Sequence, residues 1–293
     1  MQLYACDGNA SLASRLSSEL EAERGAVTWH RFPDGETLVR VDTPPSKDVA
    51  VLCTLADADA RMMPLLLTVA ALRAQGAARV GLIAPYLAYM RQDKAFHPGE
   101  AVAARHFGAL LGERFDWLVT VDPHLHRIRD LGEIMSCSSR RLHAAPLLAD
   151  WIRGNVSDPV LVGPDGESAQ WVSAAADSIG AGWFNLDKQR LGDLEVKVTM
   201  PEGIAPSART AVLVDDIVSS GRTLVAAAAA LKQRGFQNIQ CVAVHGLFSG
   251  DCREILRQAG IGGVTVTNSI LQPESRIDLA ALLAAGVRDL GVC

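Results

Sequence analysis

The sequence predicts an α/β fold of two doubly wound parallel sheets, and three observations carry that reading. Apolar runs such as Val49–Thr54, Val80–Ala84 and Ala211–Val214 read as strands buried on both faces. They alternate with stretches of helical length, the order that builds parallel sheets covered by helices. The alternation also restarts after a break near Arg141. The 293 residues therefore divide into domains 1–141 and 142–279, with the tail 280–293 expected to pack back on the first.

Leu3–Ala5 reads as a short strand, and Asn9 as the cap of a helix from Ser11 to about Glu23. Trp29–Pro33 leads into the turn Asp34-Gly35, a hairpin signal, and the alternating strand Thr37–Val41. Strand Val49–Thr54, helix Ala60–Gln75 and strand Val80–Ala84 come next. The loop Pro85–Gly99 is unusually polar for a segment between Ile83 and the helix Glu100–Leu111. Strand Trp117–Val121 ends at Asp122-Pro123-His124. In the second half a helix runs to Ile152, followed by strand Val160–Val162, helix Ser168–Ile179 and strand Gly182–Leu186. A long polar loop, Asp187–Ser207, precedes the strand Ala211–Val214. Helix Thr223–Arg234, strand Ile239–Val244, helix Asp251–Gly260, strand Val264–Thr267 and a helix near Leu279–Ala285 complete the chain.

A net charge of −5 and the lack of a basic stripe argue against a nucleic-acid partner. The longest apolar runs, such as Leu65–Leu72, are too short to span a bilayer, and no signal peptide pattern is visible. The six cysteines are scattered without a CxxC pair or metal spacing, as expected for reduced thiols in a cytoplasmic protein.

The stretch Arg209–Leu224, RTAVLVDDIVSSGRTL, is the most informative. Its strand meets two carboxylates, Asp215 and Asp216, and runs through Ser219-Ser220-Gly221 into a helix. A loop entering a helix offers backbone N–H groups to an anion. Ser219, Ser220 and Thr223 add hydroxyl donors, and Gly221 permits close approach. The result is a cradle for one phosphate. The two acids suit sugar hydroxyls or a Mg²⁺ bridge better than a second phosphate, which they would repel. The plainer possibility is an exposed acidic turn.

In the loop Pro85–Gly99, Arg91, Gln92, Asp93 and Lys94 could pair with phosphates or bond a base or hydrated metal, or could simply be solvated. Asp122 and His124, at a strand exit, can hold Mg²⁺ directly or through water. His126 and His143 read as surface or supporting groups. Asp165, in Gly163-Pro164-Asp165-Gly166, is either a site acid or a helix-start carboxylate favoured by the dipole.

Taken together these motifs resemble a known family. Arg209–Leu224 is similar to the loop that binds phosphoribosyl diphosphate (PRPP) in both phosphoribosyltransferases and PRPP synthetases. PYLAYMRQDK resembles the ATP-binding segment of PRPP synthetases, which the transferases lack. Arg31–Glu36 resembles that family's F-x-D-G-E turn, Asp122-Pro123-His124 its D-x-H and Gly163–Gly166 its S-P-D-x-G-G segment. Lys188 and Arg190 match a cationic pair on its mobile loop. Ser249 and the run Val266–Ile270 match its C-terminal domain. The resemblance covers nearly the whole chain and is closer to the archaeal-type branch.

The resemblance implies two similar domains of the type I phosphoribosyltransferase kind, the first binding ATP and the second ribose phosphate. It implies transfer of the β,γ-diphosphoryl group of MgATP to the 1-hydroxyl of ribose 5-phosphate, giving PRPP and AMP. ATP would meet Phe32, Asp34, Glu36, Arg91, Gln92, Asp93 and His124. The first three would come from a neighbouring subunit, which implies a dimer or larger homo-oligomer. The sugar phosphate would meet Asp165, Asp215, Asp216, Ser219, Ser220, Gly221, Arg222 and Thr223. Mg²⁺ would be held at His124 and Asp165, with Lys188 and Arg190 closing over the triphosphate as catalytic groups. Arg222 replaces a common glycine, Ser219 a common Asp, Glu167 a glycine and Gln170-Trp171 a basic stretch. Those departures leave room for another 5-substituted ribose, such as ADP-ribose, as acceptor. A phosphoribosyltransferase would share the phosphate cradle, and a non-catalytic regulatory homologue would share the fold. The second of these is disfavoured because the metal and loop residues are retained.

Overall fold

Each half of the chain organises its apolar runs into one parallel sheet. The computed structural model describes residues 1–190, 196–199 and 209–292. In chain order the first half holds β1 (Gln2–Ala5), α1 (Ala10–Leu20), β2 (Glu23–Gly25), β3 (Val27–Arg31), β4 (Thr37–Val41), β5 (Asp48–Leu52), α2 (Ala58–Ala74), β6 (Arg79–Ala84), α3 (Ala103–Arg114), β7 (Trp117–Val121) and β8 (Ser138–Leu142). The second holds α4 (Ala145–Asn155), β9 (Pro159–Gly163), α5 (Ala169–Ile179), β10 (Gly182–Asn185), β11 (Asp187–Arg190), β12 (Val196–Thr199), β13 (Thr210–Val218), α6 (Arg222–Gln233), β14 (Asn238–Gly246), α7 (Cys252–Gln258), β15 (Gly263–Thr267) and β16 (Ser275–Ile277). The last helix, α8 (Ala280–Asp289), belongs with the first half. One unit comprises Met1–His143 and Asp278–Cys293, the other Ala144–Ile277.

The strand orders β2-β1-β5-β6-β7-β8 and β10-β9-β13-β14-β15-β16 are the same winding performed twice. Every pairing within the two sheets is parallel. The chain steps outward once, returns beside its first strand and continues the other way, so each half is doubly wound, as the sequence predicts. Central strands such as β7 are buried along their whole length, which is why they read as unbroken apolar runs.

The outermost strands β2, β8 and β16 carry no such signal. Glu23-Arg24 and Ser138–Arg141 are polar because a short edge strand has one open side. Within the segment read as a polar loop, β11 and β12 pair antiparallel, Lys188 opposite Val198 and Arg190 opposite Val196. Residues 191–195 and 200–207 of that segment lie outside the described residues. The strand read as Ala211–Val214 continues through both carboxylates to Val218.

Asn9 precedes α1, but its side chain does not cap it. Its Oδ1 accepts from Thr54 Oγ1 at 2.8 Å and from the Thr54 N–H at 3.3 Å, tying the exits of β1 and β5 together. The helix tolerates this because Leu12, Ala13 and Leu16 are buried. Each buried leucine contributes about 1.5–3 kcal/mol, against about 1 kcal/mol for a cap. The ribbon β3–β4 is held to α2 by Trp29 Nε1, which donates to Thr68 Oγ1 at 2.9 Å. At the C-terminal end, Arg15 pairs with Asp278 at 3.0 Å and Arg140 with Asp289 at 2.8 Å.

Cys6, Cys53, Cys241 and Cys252 are buried free thiols and Cys137 is half-buried. Among the described residues no helix is long and apolar enough to cross a membrane.

The tightest fit in the first sheet is Gly81 on β6 beside Trp117 on β7. A Cβ at Gly81 would fall 1.8 Å from the indole, which is itself only 2 % exposed. Gly81→Ala is expected to cost about 1–3 kcal/mol through overpacking, seen as a lower midpoint in urea unfolding. An unchanged midpoint would show that the strands can spread there.

Candidate functional site

All-parallel sheets gather their strand exits at one edge, and the sequence-predicted residues stand at those edges. In the second unit, neighbouring strands β9 and β13 carry the acids. Chain order reverses between these two strands, where open α/β sheets bind ligands. β9 exits at Gly163, and Asp165 follows, half-buried. The Ser168 hydroxyl donates to the Asp165 carbonyl at 2.7 Å, closing a short turn ahead of α5. Beside it, the buried Asn185 Oδ1 makes no hydrogen bond.

On β13, Asp216 is 3 % exposed and Asp215 half-buried. Successive residues of a strand face opposite sides, so the two carboxylates do not act as one group. Asp215 Oδ1 accepts the Asp216 N–H at 3.0 Å.

Gly221, at φ +76°, turns the chain into α6. A Cβ there would lie 2.9 Å from Cys252 Sγ and 3.2 Å from Leu256, so both the backbone angle and the space select glycine. The loop is pinned from the next strand exit: the Leu247 and Phe248 N–H groups donate to the Val218 carbonyl at 2.9 and 3.1 Å, and Ser249 N–H to the Ser219 carbonyl at 3.0 Å. Ser220 and Arg222 are exposed, and Ser219 and Thr223 half-buried. The turn thus presents hydroxyls and the first N–H groups of a helix, a geometry suited to a phosphate.

In the first unit the loop after β6 is anchored by buried Tyr86, Leu87 and Met90, which leave Arg91, Gln92 and Lys94 exposed. Tyr89 sits at φ +65°, and its hydroxyl hydrogen-bonds Asp59. Asp93 is different. The resemblance puts its carboxylate on the nucleotide; here the residue is 7 % exposed and engaged by the protein itself. Oδ1 accepts from Arg127 Nη1 and Oδ2 from the Arg127 N–H, each at 3.0 Å. Burial pushes the Asp93 carboxyl up, but those two bonds and the Arg127 charge outweigh it and leave the pKa below the ordinary range. Asp93 therefore clamps the loop after β7 to the loop after β6.

That second loop begins at Asp122, at φ +34° and 1 % exposed, whose Oδ1 is 2.9 Å from His143 Nδ1 at the exit of β8. His124 and His126 follow, both half-buried, with their Nε2 atoms 2.7 Å apart. The ribbon β3–β4 carries Phe32, 39 % exposed, with Asp34 and Glu36 also exposed. Asp34 Oδ1 accepts the Glu36 N–H at 3.0 Å and Phe32 N–H donates to the Glu36 carbonyl at 2.8 Å, shaping the turn.

The first unit thus brings Arg91, Gln92, Asp93 and His124 to adjoining strand exits, and the second does the same for Asp165 and Asp215–Thr223. Lys188 and Arg190 lie on β11. Arg127 and the imidazole partnership of His126 were not legible in the sequence. Asp93 and Arg127 are separated by 34 positions, and no local pattern links them.

Comparison with known proteins agrees from end to end. Residues 1–113 match the family model described as the N-terminal domain of ribose phosphate pyrophosphokinase, and residues 191–289 the phosphoribosyl synthetase-associated domain. A ribose-phosphate pyrophosphokinase of Methanopyrus kandleri is 32 % identical over 295 residues, covering 99 % of each chain. Ribose-phosphate pyrophosphokinase 2 of Archaeoglobus fulgidus is 31 % identical over 98 % of this chain and 100 % of its own. The crystal structure of phosphoribosylpyrophosphate synthetase from Mycobacterium smegmatis superimposes with a TM-score of 0.85 at 27 % identity, covering 99 % of this chain and 98 % of the other.

The clamp gives a pH-dependent prediction. A carboxyl whose folded pKa is lowered contributes stability above its unfolded pKa, and that contribution is lost as pH falls through the folded value. Asp93→Asn should therefore melt below wild type near neutral pH, the two converging in acid below the ordinary aspartate range. Parallel Tm curves across that window would rule out the clamp.

Proposed function

Because the chain belongs to the ribose-phosphate pyrophosphokinase family, we propose that it transfers the β,γ-diphosphoryl group of ATP to the 1-hydroxyl of ribose 5-phosphate, giving PRPP and AMP. The observation that carries this reading is the end-to-end similarity to ribose-phosphate pyrophosphokinases in a chain that keeps both the Arg91–Lys94 segment and the Ser219–Thr223 turn. A transferase that consumes PRPP would need only the second.

Each unit has its own task. The Ser219–Thr223 turn takes the 5-phosphate on N–H and hydroxyl donors, with Arg222 adding charge. Asp215 accepts from the sugar hydroxyls. Asp216, being buried, serves mainly to hold the end of β13. Arg91 and Gln92 engage ATP, and Asp93 positions them through Arg127. Phe32, Asp34 and Glu36, exposed on their ribbon, are read as offered to the nucleotide of a second copy, which makes the working form at least a dimer. Lys188 and Arg190 neutralise charge developing on the transferred group and on departing AMP, so catalysis rests on position and electrostatics. The reduced thiols support a cytoplasmic setting.

Mg²⁺ fits part of this donor set. Asp165 supplies a hard carboxylate oxygen at the exit of β9, and Mg²⁺ is commonly held by one or two carboxylates with water and substrate phosphates. His124, the other residue expected to hold Mg²⁺, belongs to the first unit and would do so best through a water. The ion would neutralise the phosphate charge and polarise the transferred group. The altered residues Ser219, Arg222, Glu167 and Gln170-Trp171 keep ADP-ribose as the second acceptor to test.

The deciding assay incubates the chain with MgATP and either ribose 5-phosphate or ADP-ribose and identifies the products. AMP with a 1-diphosphorylated ribose 5-phosphate is expected; pyrophosphate release, or AMP formed only with ADP-ribose, would overturn the assignment. Lys188→Ala should lower kcat about 10²- to 10³-fold, the usual cost of one charge-stabilising donor. The KM for ribose 5-phosphate should stay within about threefold, since this is a loss of transition-state binding only. A KM effect with normal kcat would move Lys188 to substrate binding.

A further inference from the structure

The Ser219–Thr223 turn is gripped by a segment whose own backbone is strained. Phe248 sits at φ +47°, a left-handed angle that a residue as bulky as phenylalanine rarely adopts. Such an angle persists only where the surroundings over-determine it. Here it has a use. Leu247 and Phe248 bring successive N–H groups to the Val218 carbonyl at 2.9 and 3.1 Å, and Ser249 brings the next to the Ser219 carbonyl at 3.0 Å. Those carbonyls lead directly into the turn.

Phe248 is held there by its ring, which is buried against the end of β14. A Cβ on Gly246 would fall 2.5 Å from that ring and 3.1 Å from Val266. The Arg253 guanidinium stands 4.4 Å from the ring centroid, within cation–π range. Arg253 is itself fixed. Its Nε donates to Glu274 Oε1 at 2.7 Å, and its Nη2 to Glu274 Oε2 at 3.1 Å and to Gln272 Oε1 at 2.8 Å. That planar fork is one an ammonium group cannot reproduce. Glu274 is in turn tied to the sheet, since its carbonyl accepts the Val266 N–H at 3.1 Å. One arginine thus joins the exits of β13, β14 and β15.

We propose that Arg253 is a positioning residue for the ribose 5-phosphate site: by fixing the Phe248 ring it keeps the N–H groups of residues 247–249 on the exit of β13 and holds the Ser219–Thr223 turn in its phosphate-binding shape. Arg253 acts through Phe248 and does not touch the substrate. The identity of the ligand rests on the proposed function; the coupling of Arg253 to the turn does not.

The test has two arms, both on the full-length chain. Amide hydrogen exchange is followed without ligand, and the kinetics are measured with MgATP and ribose 5-phosphate. In Arg253→Met, exchange at Leu247, Phe248 and Ser249 should quicken about tenfold or more, with the core of β13, Ala211–Val214, within about twofold of wild type. The KM for ribose 5-phosphate should rise about three- to tenfold while kcat and the KM for ATP stay within about twofold, as for a loss of uniform binding. Arg253→Lys keeps the charge over the ring but not the fork and should fall between the two. Glu274→Gln, which loosens the anchor only, should shift both readouts the same way by less. Arg257→Met removes another exposed arginine–glutamate pair from α7, the 2.7 Å contact with Glu254, and should change neither. Unchanged exchange in Arg253→Met, faster exchange with an unchanged KM for ribose 5-phosphate, or the same effects in Arg257→Met would overturn the proposal. A wild-type chain that forms no AMP would sink the enzymatic reading alone, because the exchange arm still decides whether Arg253 holds the turn.

Discussion

A parallel sheet covered on both faces leaves little room for polar chemistry along the first residues of its central strands, because the positions there are in the core. Val119, Val121, Leu213 and Val214 are all fully buried. The candidate carboxylates, imidazoles and hydroxyls therefore gather at the C-terminal ends of the strands and in the loops that follow, which parallel pairing sets on one edge. The duplicated strand order gives each half of the chain one such edge. One carries the Arg91–Lys94 and Asp122–His126 loops, the other Asp165 and Asp215–Thr223. The proposal of separate substrates for separate halves builds on that constraint.

Strand exits need holding, and the chain does so with polar groups placed far apart in sequence. Asn9 ties β1 to β5 through Thr54, and Asp93 ties the β6 exit to the β7 exit through Arg127. Asp122 reaches His143 at the exit of β8, and Ser249 closes onto Ser219. Buried carboxylates such as Asp93 and Asp122 are costly unless paired. Their pairing explains how acids can sit so deep in these loops: Asp93 is matched within the protein by Arg127.

The Ser219–Thr223 turn shows the same economy at the level of the backbone. Gly221 satisfies a left-handed turn and leaves room for Cys252 and Leu256, so helix α7 can pack under the loop that α6 opens. A larger residue would strain the turn and push α7 away from it. The rigid part of the site is thereby set by packing, and the chemical variation among Ser219, Ser220 and Arg222 is carried on its outer side.

Much of this was legible from residue order. The central strands, the helices between them, the hairpin at Asp34-Gly35 and the Ser219–Thr223 turn all depend on contiguous residues, whose periodicity and turn chemistry act over a few positions. The local pattern could not show that Asn9 bonds to Thr54 in place of its helix, or that β13 continues past Asp216. It also could not show that Lys188 and Arg190 lie on a paired strand, or that Glu23–Gly25 and Ser138–Leu142 join sheet edges. Each of these depends on a partner distant in sequence. The same holds for Asp93, read as a nucleotide ligand from its motif and found beneath Arg127, and for the two histidines. The sequence by itself determined which chemical groups the protein has and which strand exit each one follows. Only tertiary structure decided which of them turn toward each other and which toward solvent, because burial and pairing are properties of the packed chain, where a carboxylate or imidazole takes whatever partner the neighbouring exit supplies.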